Sequence, residues 1–366
     1  MATASTTKHM LEAYQQRATH IPFFSGFFKT TQDSFHNAEE VEIDIERSGE
    51  DISIAVHDIS TGHRMNSANL YTSKGFKPPV HKEAFPVSSF ELIKRTAGEN
   101  PFEDIGFRVR LARKFISGML KIEAKIRRAM EFQAAQALQV GVVTLTDESG
   151  AEVFKVDYHP KATHFPTAGT AWGADGADPI GDLSALAEVI RADGLTDATT
   201  IIMGIDAFNA FIADAGVQAY FDNRRIDHGS LGRSVKRNGG TYQGAVDIGN
   251  YKFEVWTVPG RYKHPQTGVS TPYMDPSKVI MLDENARLDA TFGGIPNIGQ
   301  LLGASSSLSG KLPMLPSRFR AVDNQMDLNT NLWLSNDGEQ LFGGVGSRPL
   351  MIPTAIDTFG CLETSA

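Results

Sequence analysis

FRVRLARKFISGMLKIEAKIRRAMEFQAAQALQVG, residues Phe107 to Gly141, decides how the rest of the chain is read. Leu111, Phe115, Met119, Ile122, Ile126, Met130 and Ala137 recur every three or four positions, which predicts one apolar face of a helix. At ~100° per residue, Arg110, Arg113, Lys114, Lys121, Lys125 and Arg128 gather on the opposite face. No proline falls between Phe102 and Pro160. Gly118 is the weak link, about 1 kcal/mol worse than Ala in a helix interior. Such a helix is roughly 50 Å long at ~1.5 Å per residue, well beyond the usual ~11–12 residues. It reads as a spine, packed on one side and cationic on the other. The whole chain is nevertheless acidic, with 35 Lys+Arg against 43 Asp+Glu and a formal charge of -8. Cations concentrated on one face of an acidic protein need a partner: phosphate groups, or the acids of this or an adjacent subunit.

The length of 366 residues favours two or more subdomains, because single cores stop growing near ~250–300 residues. The only cysteine, Cys361, excludes an intramolecular disulfide framework and a cysteine-rich zinc site. No apolar run approaches the ~18–20 residues of a membrane span, and no signal-peptide pattern opens the chain. Synthesis in a reducing cytoplasm is therefore expected, with no membrane partner. The patterned sequence starts by about Lys8, so the mature chain is expected to begin near Met1. IPFFSGFF, Ile21 to Phe28, is too short and too broken for a membrane anchor and predicts an aromatic anchor buried against another element.

Outward from the spine, EVEIDIERSGEDISIAV (residues 40–56) alternates apolar and polar residues on both sides of a Ser48-Gly49-Glu50-Asp51 turn, a β-hairpin signature. Residues 58–90 are polar, proline-containing and without apolar periodicity, and predict a long loop whose partners lie on another subunit. A second hairpin is expected over 142–158, about Glu148-Ser149-Gly150. Asp182 is expected to cap a helix running through Arg191, with Gly194 just past its end. TTIIMG is a buried strand, and DAFNAFIADAG a helix begun by Asp206 and stopped by Gly216. YQGAVDIGNYKFEVWTV is a hairpin and KVIMLD a strand. Helices and strands mix in an α+β pattern.

Catalytic motifs fail one by one. Gly310-Lys311 lacks the first glycine of a phosphate loop, which would fall at Ser305, and Leu312 stands where a metal-binding hydroxyl is needed. HGSLG, His228 to Gly232, lacks the spacing of a nucleophile elbow. His159 and His164 have no matching second ligand pair and are expected to be solvated loop histidines. No enzyme activity, cofactor or metal is expected.

Five segments in collinear order resemble the major capsid protein family of lambda-like tailed bacteriophages. MLEAYQQRATHIPFFSGFF resembles its N-terminal arm, and GFKPPVHKEAF its segment after an extended loop. GTAWGADGADPIGDLSAL matches a G-T-x-W followed by a D-P-x-x-D helix start. YFDNRRIDHGSLG resembles the D-x-R-R segment, and SRPLMIPTAIDTF the return near the C-terminus. The resemblance implies the tailed-phage capsid fold. Its N-terminal arm would be 1–40, its extended loop 41–95, its peripheral subdomain with the spine helix 96–180, its axial subdomain 181–346, and the return 347–366. It implies a self-assembling subunit of pentamers and hexamers in an icosahedral head. The partners would be itself, a portal, a scaffold, possible decoration protein, and double-stranded DNA held without sequence specificity. Assembly would take place in the bacterial host, and the chain would end in the virion. Arg110, Arg113, Lys114, Lys121, Lys125 and Arg128 would face DNA. Phe23, Phe24, Phe27, Phe28, Lys74, Phe76, Lys77, Arg224 and Arg225 would meet neighbouring subunits. Two other readings stand beside this one: an encapsulin-like compartment, and a sequence-independent DNA-binding protein. The acidic balance weighs against the second.

Overall fold

The computed structural model describes residues 22–31, 34–36, 40–46, 71–94, 106–147, 149–221, 229–230, 239–295 and 327–365. The chain divides into two compact units. One holds 1–20, 80–127 and 294–348; the other holds 21–79, 128–293 and 349–366. Arg224, Arg225, the expected strand at 52–56 and the glycine- and serine-rich stretch from 296 lie outside the described residues.

In chain order, the elements begin with β1 (Phe35–His36), β2 (Val41–Glu46), β3 (Tyr71–Phe76) and β4 (His81–Ser88). Helices α1 (Ser89–Ile93) and α2 (Phe107–Val140) and the hairpin β5 (Val142–Thr146) and β6 (Glu152–Asp157) follow. Next come α3 (Pro179–Gly194), β7 (Thr200–Met203), α4 (Ile205–Ala213), α5 (Ala215–Phe221) and β8 (Gly229–Ser230). Strands β9 (Thr241–Ile248), β10 (Tyr251–Thr257), β11 (Arg261–Lys263), β12 (Ser270–Pro272), β13 (Lys278–Leu282) and β14 (Asp289–Gly293) lead to β15 (Asn329–Leu334). The chain closes with β16 (Gln340–Ser347), β17 (Pro349–Ile352) and β18 (Phe359–Glu363).

The larger unit is built on a six-stranded sheet in the order β18-β13-β7-β10-β9-β8. Only β7 and β10 run parallel in it; its other neighbours are antiparallel. Every residue of β7 is buried, which is why Ile201, Ile202 and Met203 read as a continuous apolar run and not as an alternation. Leu183, Leu186 and Ile190 of α3 and Phe211 of α4 pack with Ile201, Phe253, Val255 and Met281 to form the core. The smaller unit holds the antiparallel sheet β15-β16-β4 and the first part of α2.

Helix α2 covers the predicted span. Phe115 and Met119 are fully enclosed, and Ile122, Ile126 and Met130 are buried. Gly118 has a structural cause. A Cβ there would lie 2.3 Å from the Phe85 ring, so the strand β4 crosses the helix where no side chain intervenes. Gly343 of β16 plays the same part from the sheet, its notional Cβ 2.6 Å from Phe115. Phe85 and Phe115 then meet at 5.3 Å between ring centroids, a pairing worth about 0.5–1.5 kcal/mol beyond the area it buries.

Several expectations are corrected. Residues 58–90 are not wholly loop: β3, β4 and the start of α1 lie within them. Four of the eight residues of β4 are exposed and only Val87 is buried, in no strict alternation, so its strand character left no apolar signal. Pairing with β16 in register Ser88↔Gln340 to His81↔Ser347 supplies it. Pro86 is accommodated because β4 is the edge of its sheet. β2 pairs with β3, Val41↔Phe76 to Glu46↔Tyr71, a partner that the local alternation does not indicate. Helix α3 starts one turn earlier than expected: Asp178 accepts the Gly181 N–H and Pro179 takes the first turn, where a missing N–H costs nothing. Asp182 instead accepts the Trp172 indole N–H at 2.9 Å. Gly194 is the last helical residue, pressed against the Asp357 carbonyl, and Leu195 takes the left-handed cap at φ 55°. Gly216 does not stop α4. The helix ends at Ala213, and Gly216 sits inside α5.

Candidate functional surface: the cationic face of the spine and the anchor of the arm

The six cations expected on one face of α2 split by what they touch. The segment β4–α1 runs back along the helix and takes three of them. The Lys125 ammonium reaches a Glu83 carboxylate oxygen at 2.6 Å. Lys114 reaches the Glu91 backbone carbonyl at 2.8 Å and its carboxylate at 3.4 Å. The Arg110 guanidinium donates to the Leu92 carbonyl at 2.6 Å. As the strap proceeds from residue 83 to 92, its partners descend from 125 to 110. Each pair is at least partly open to water, so each contributes about 0–1 kcal/mol and serves more to set register than to stabilise.

Arg113 and Lys121 are exposed, and no ion pair engages either among the described residues. Arg128 is half-buried, and its charge partly offsets the rise that burial imposes on the Tyr273 hydroxyl. Arg127, off the expected face, pairs with Asp327. The cationic face is therefore partly a docking rail for the chain's own strap and partly free charge.

The arm's aromatic cluster forms a tight turn over residues 23–28. Phe23, Phe24 and Phe28 are buried by their own chain, and Phe27 is half-buried. Phe23 meets Phe24, Phe27 and Trp256 at 5.4, 5.5 and 6.2 Å between centroids. It also fills the space where a Cβ on Gly240 would stand, 2.3 Å from its ring. Phe76 is buried against Tyr158 at 5.5 Å, Lys77 is exposed, and Lys74 lies within β3.

No motif in the sequence marks what holds this turn. Glu131 is 2% exposed. One of its carboxylate oxygens accepts the N–H groups of Phe23 and Phe24 at 2.9 and 2.7 Å. The other accepts the N–H and hydroxyl of Ser25 at 2.9 and 2.6 Å. Four donors fill the roughly four lone-pair positions of a carboxylate, which is how an acid is buried without a cation. Eight residues on, Gln139 works similarly. Its amide donates to the Ala135 and Tyr273 carbonyls and its oxygen accepts the Asp275 N–H at 2.8 Å.

His164 is also corrected: it is not a solvated loop residue but fully buried. Its Nδ1 lies 2.8 Å from the Phe359 carbonyl and its Nε2 3.1 Å from Asp193, which also meets Lys161 at 2.6 Å. The Lys161 bond is the main cause holding the Asp193 carboxyl below the usual range. Among the described residues no group of three or more metal-binding side chains gathers, and no helix is long and apolar enough to cross a membrane.

The phage major capsid protein E family matches residues 6–359. This chain belongs to that family. It is a phage major capsid protein, a structural component of the head, and such proteins assemble into multimeric shells. No curated protein sequence matches the capsid chain. Among solved structures it is similar to the putative capsid protein of a prophage of E. coli CFT073, at 16% identity and a TM-score of 0.61, covering 94% of this chain and 93% of that one. It is also similar to the capsid of Ralstonia phage GP4, at 11% identity and a TM-score of 0.50, covering 99% and 92%. At these identities the likeness shows the fold, an α+β tailed-phage capsid fold. The holo-SrpI encapsulin of Synechococcus elongatus PCC 7942 is more distant, at 10% identity and a TM-score of 0.42 over 96% and 92%.

Proposed function

We propose that this capsid protein forms the pentamers and hexamers of an icosahedral head around double-stranded DNA, and that Arg113 and Lys121 meet the packaged phosphates. The observation that supports this is the division of the cationic face. Arg110, Lys114 and Lys125 are engaged by residues 83–92 of their own chain, whereas Arg113 and Lys121 project with no acid beside them among the described residues. Contact with phosphate needs only cations, because no base is read. The arm 1–40 and the extended loop 41–95 reach neighbouring subunits, Lys74 and Lys77 among them. The peripheral subdomain 96–180 and the return 347–366 form the shell floor, and the axial subdomain 181–346, with Arg224 and Arg225, points to the symmetry axes. The chain is made in the host cytoplasm, meets a portal and a scaffold, and admits a decoration protein.

The test is the double variant R113Q/K121Q in assembled particles. Empty shells are expected to form at normal yield, while retention of DNA weakens. The dependence of retention on log salt should flatten by about one for each cation removed. Loss of empty shells would show that these two cations hold protein acids and would remove the DNA-facing reading.

A further inference from the structure

We propose that Glu131 is the positioning residue for the arm during assembly: its buried carboxylate gathers the N–H groups of three successive residues, Phe23, Phe24 and Ser25, and so fixes the backbone course of the arm at these residues. The proposal rests on the reading that the arm engages neighbours.

Three features of the clasp go beyond ordinary packing. Three consecutive amides pointing at one anion form a nest, a backbone conformation that concentrates partial positive charge and that a neutral side chain does not satisfy. The Ser25 hydroxyl adds a fourth, short bond of 2.6 Å to the same carboxylate. The partners are 106 to 108 residues apart in sequence, so the clasp joins the arm to the C-terminal third of the spine helix and not to a local turn. The turn is also closed on its other sides. Gly26 returns its N–H to the Phe23 carbonyl at 3.2 Å, and the Phe23 ring occupies the gap left by Gly240. Lys29 then bonds to the Leu288 carbonyl at 2.8 Å, which directs the following chain toward β14. Aromatic packing alone would hold the rings but leave the backbone direction free; the carboxylate removes that freedom, because hydrogen bonds to an ionised acceptor are directional and strong.

Glu131→Gln is the decisive variant. It keeps the shape but presents an NH2 group to the Ser25 N–H, so one oxygen's worth of acceptor becomes donor facing donor. In the unassembled subunit, hydrogen exchange at Phe23, Phe24 and Ser25 should rise by at least about tenfold. The thermal transition of the rest of the subunit should remain cooperative. Shell yield by electron microscopy should fall by about tenfold or more. Ser25→Ala removes only the hydroxyl bond and should raise exchange and lower yield by a smaller, severalfold step; it carries the test if Glu131→Gln does not fold. Unchanged exchange in the variants would refute the clasp. Raised exchange with normal shell yield would refute its role in positioning the arm. Exchange is read on the free subunit, so a wild-type chain that forms no shells would count against arm-mediated assembly and leave the clasp itself measured.

Discussion

From Phe107 to Met130, helix α2 buries one face and offers the other to water, to the strap at 83–92 and to free cations. From Glu131 to Gln139 the same helix is enclosed on nearly every side, with only Phe132 and Gln136 half-buried. In the first stretch the polar residues are long and charged, and they lie where the helical period puts them outside. In the second, Glu131, Gln133 and Gln139 are polar and buried, and Glu131 and Gln139 each fasten a backbone segment remote in sequence. The difference teaches that burial in this helix is set by how many elements surround it. A one-sided helix announces its face; a surrounded helix hides its polar residues among its apolar ones.

The comparison breaks most visibly at the one-sided core. Phe115→Ala empties space that Phe85 and Gly343 were shaped to fill and should cost about 3–5 kcal/mol, read by urea denaturation of the subunit. A loss below about 1 kcal/mol would mean that the first stretch of α2 is not anchored by its apolar face. In the surrounded stretch, Gln139→Ala strands the Tyr273 carbonyl and the Asp275 N–H and should cost about 1–3 kcal/mol in the same measurement. A neutral result would place water, not protein, as the partner of these groups. The smallest effect belongs to the cationic face. Lys125→Gln, paired in a double-mutant cycle with Glu83→Gln, should show a coupling of about 1 kcal/mol or less that fades with salt. A larger, salt-insensitive coupling would make the strap contact part of the core and erase the contrast between the two faces.

Local pattern carried much of the fold. The 3.6-residue period marks α2 from Phe107, and the alternation about Ser149-Gly150 and Gly249 marks the hairpins β5–β6 and β9–β10, because those signals depend only on neighbours in sequence. The order of five family segments led to the capsid reading, which the family match over residues 6–359 supports. The cationic face was legible as a face, but its division was not. Whether Lys125 or Lys121 finds an acid depends on where β4 crosses the helix, and that crossing depends on Gly118 and Gly343 clearing space for Phe85.

By itself, then, the sequence determined the helix, its two faces, the hairpins and the family, since periodicity and motif order are properties of the chain. Tertiary structure alone decided that β4 is a strand, that His164 is buried between Asp193 and Phe359, and that Glu131 holds the backbone turn at Phe23, Phe24 and Ser25. In each case the partner lies far along the chain, and no local rule relates an isolated acid at position 131 to three amides more than a hundred residues earlier. Only the packed fold brings the donors within hydrogen-bond reach, and burial then makes the carboxylate depend on all of them.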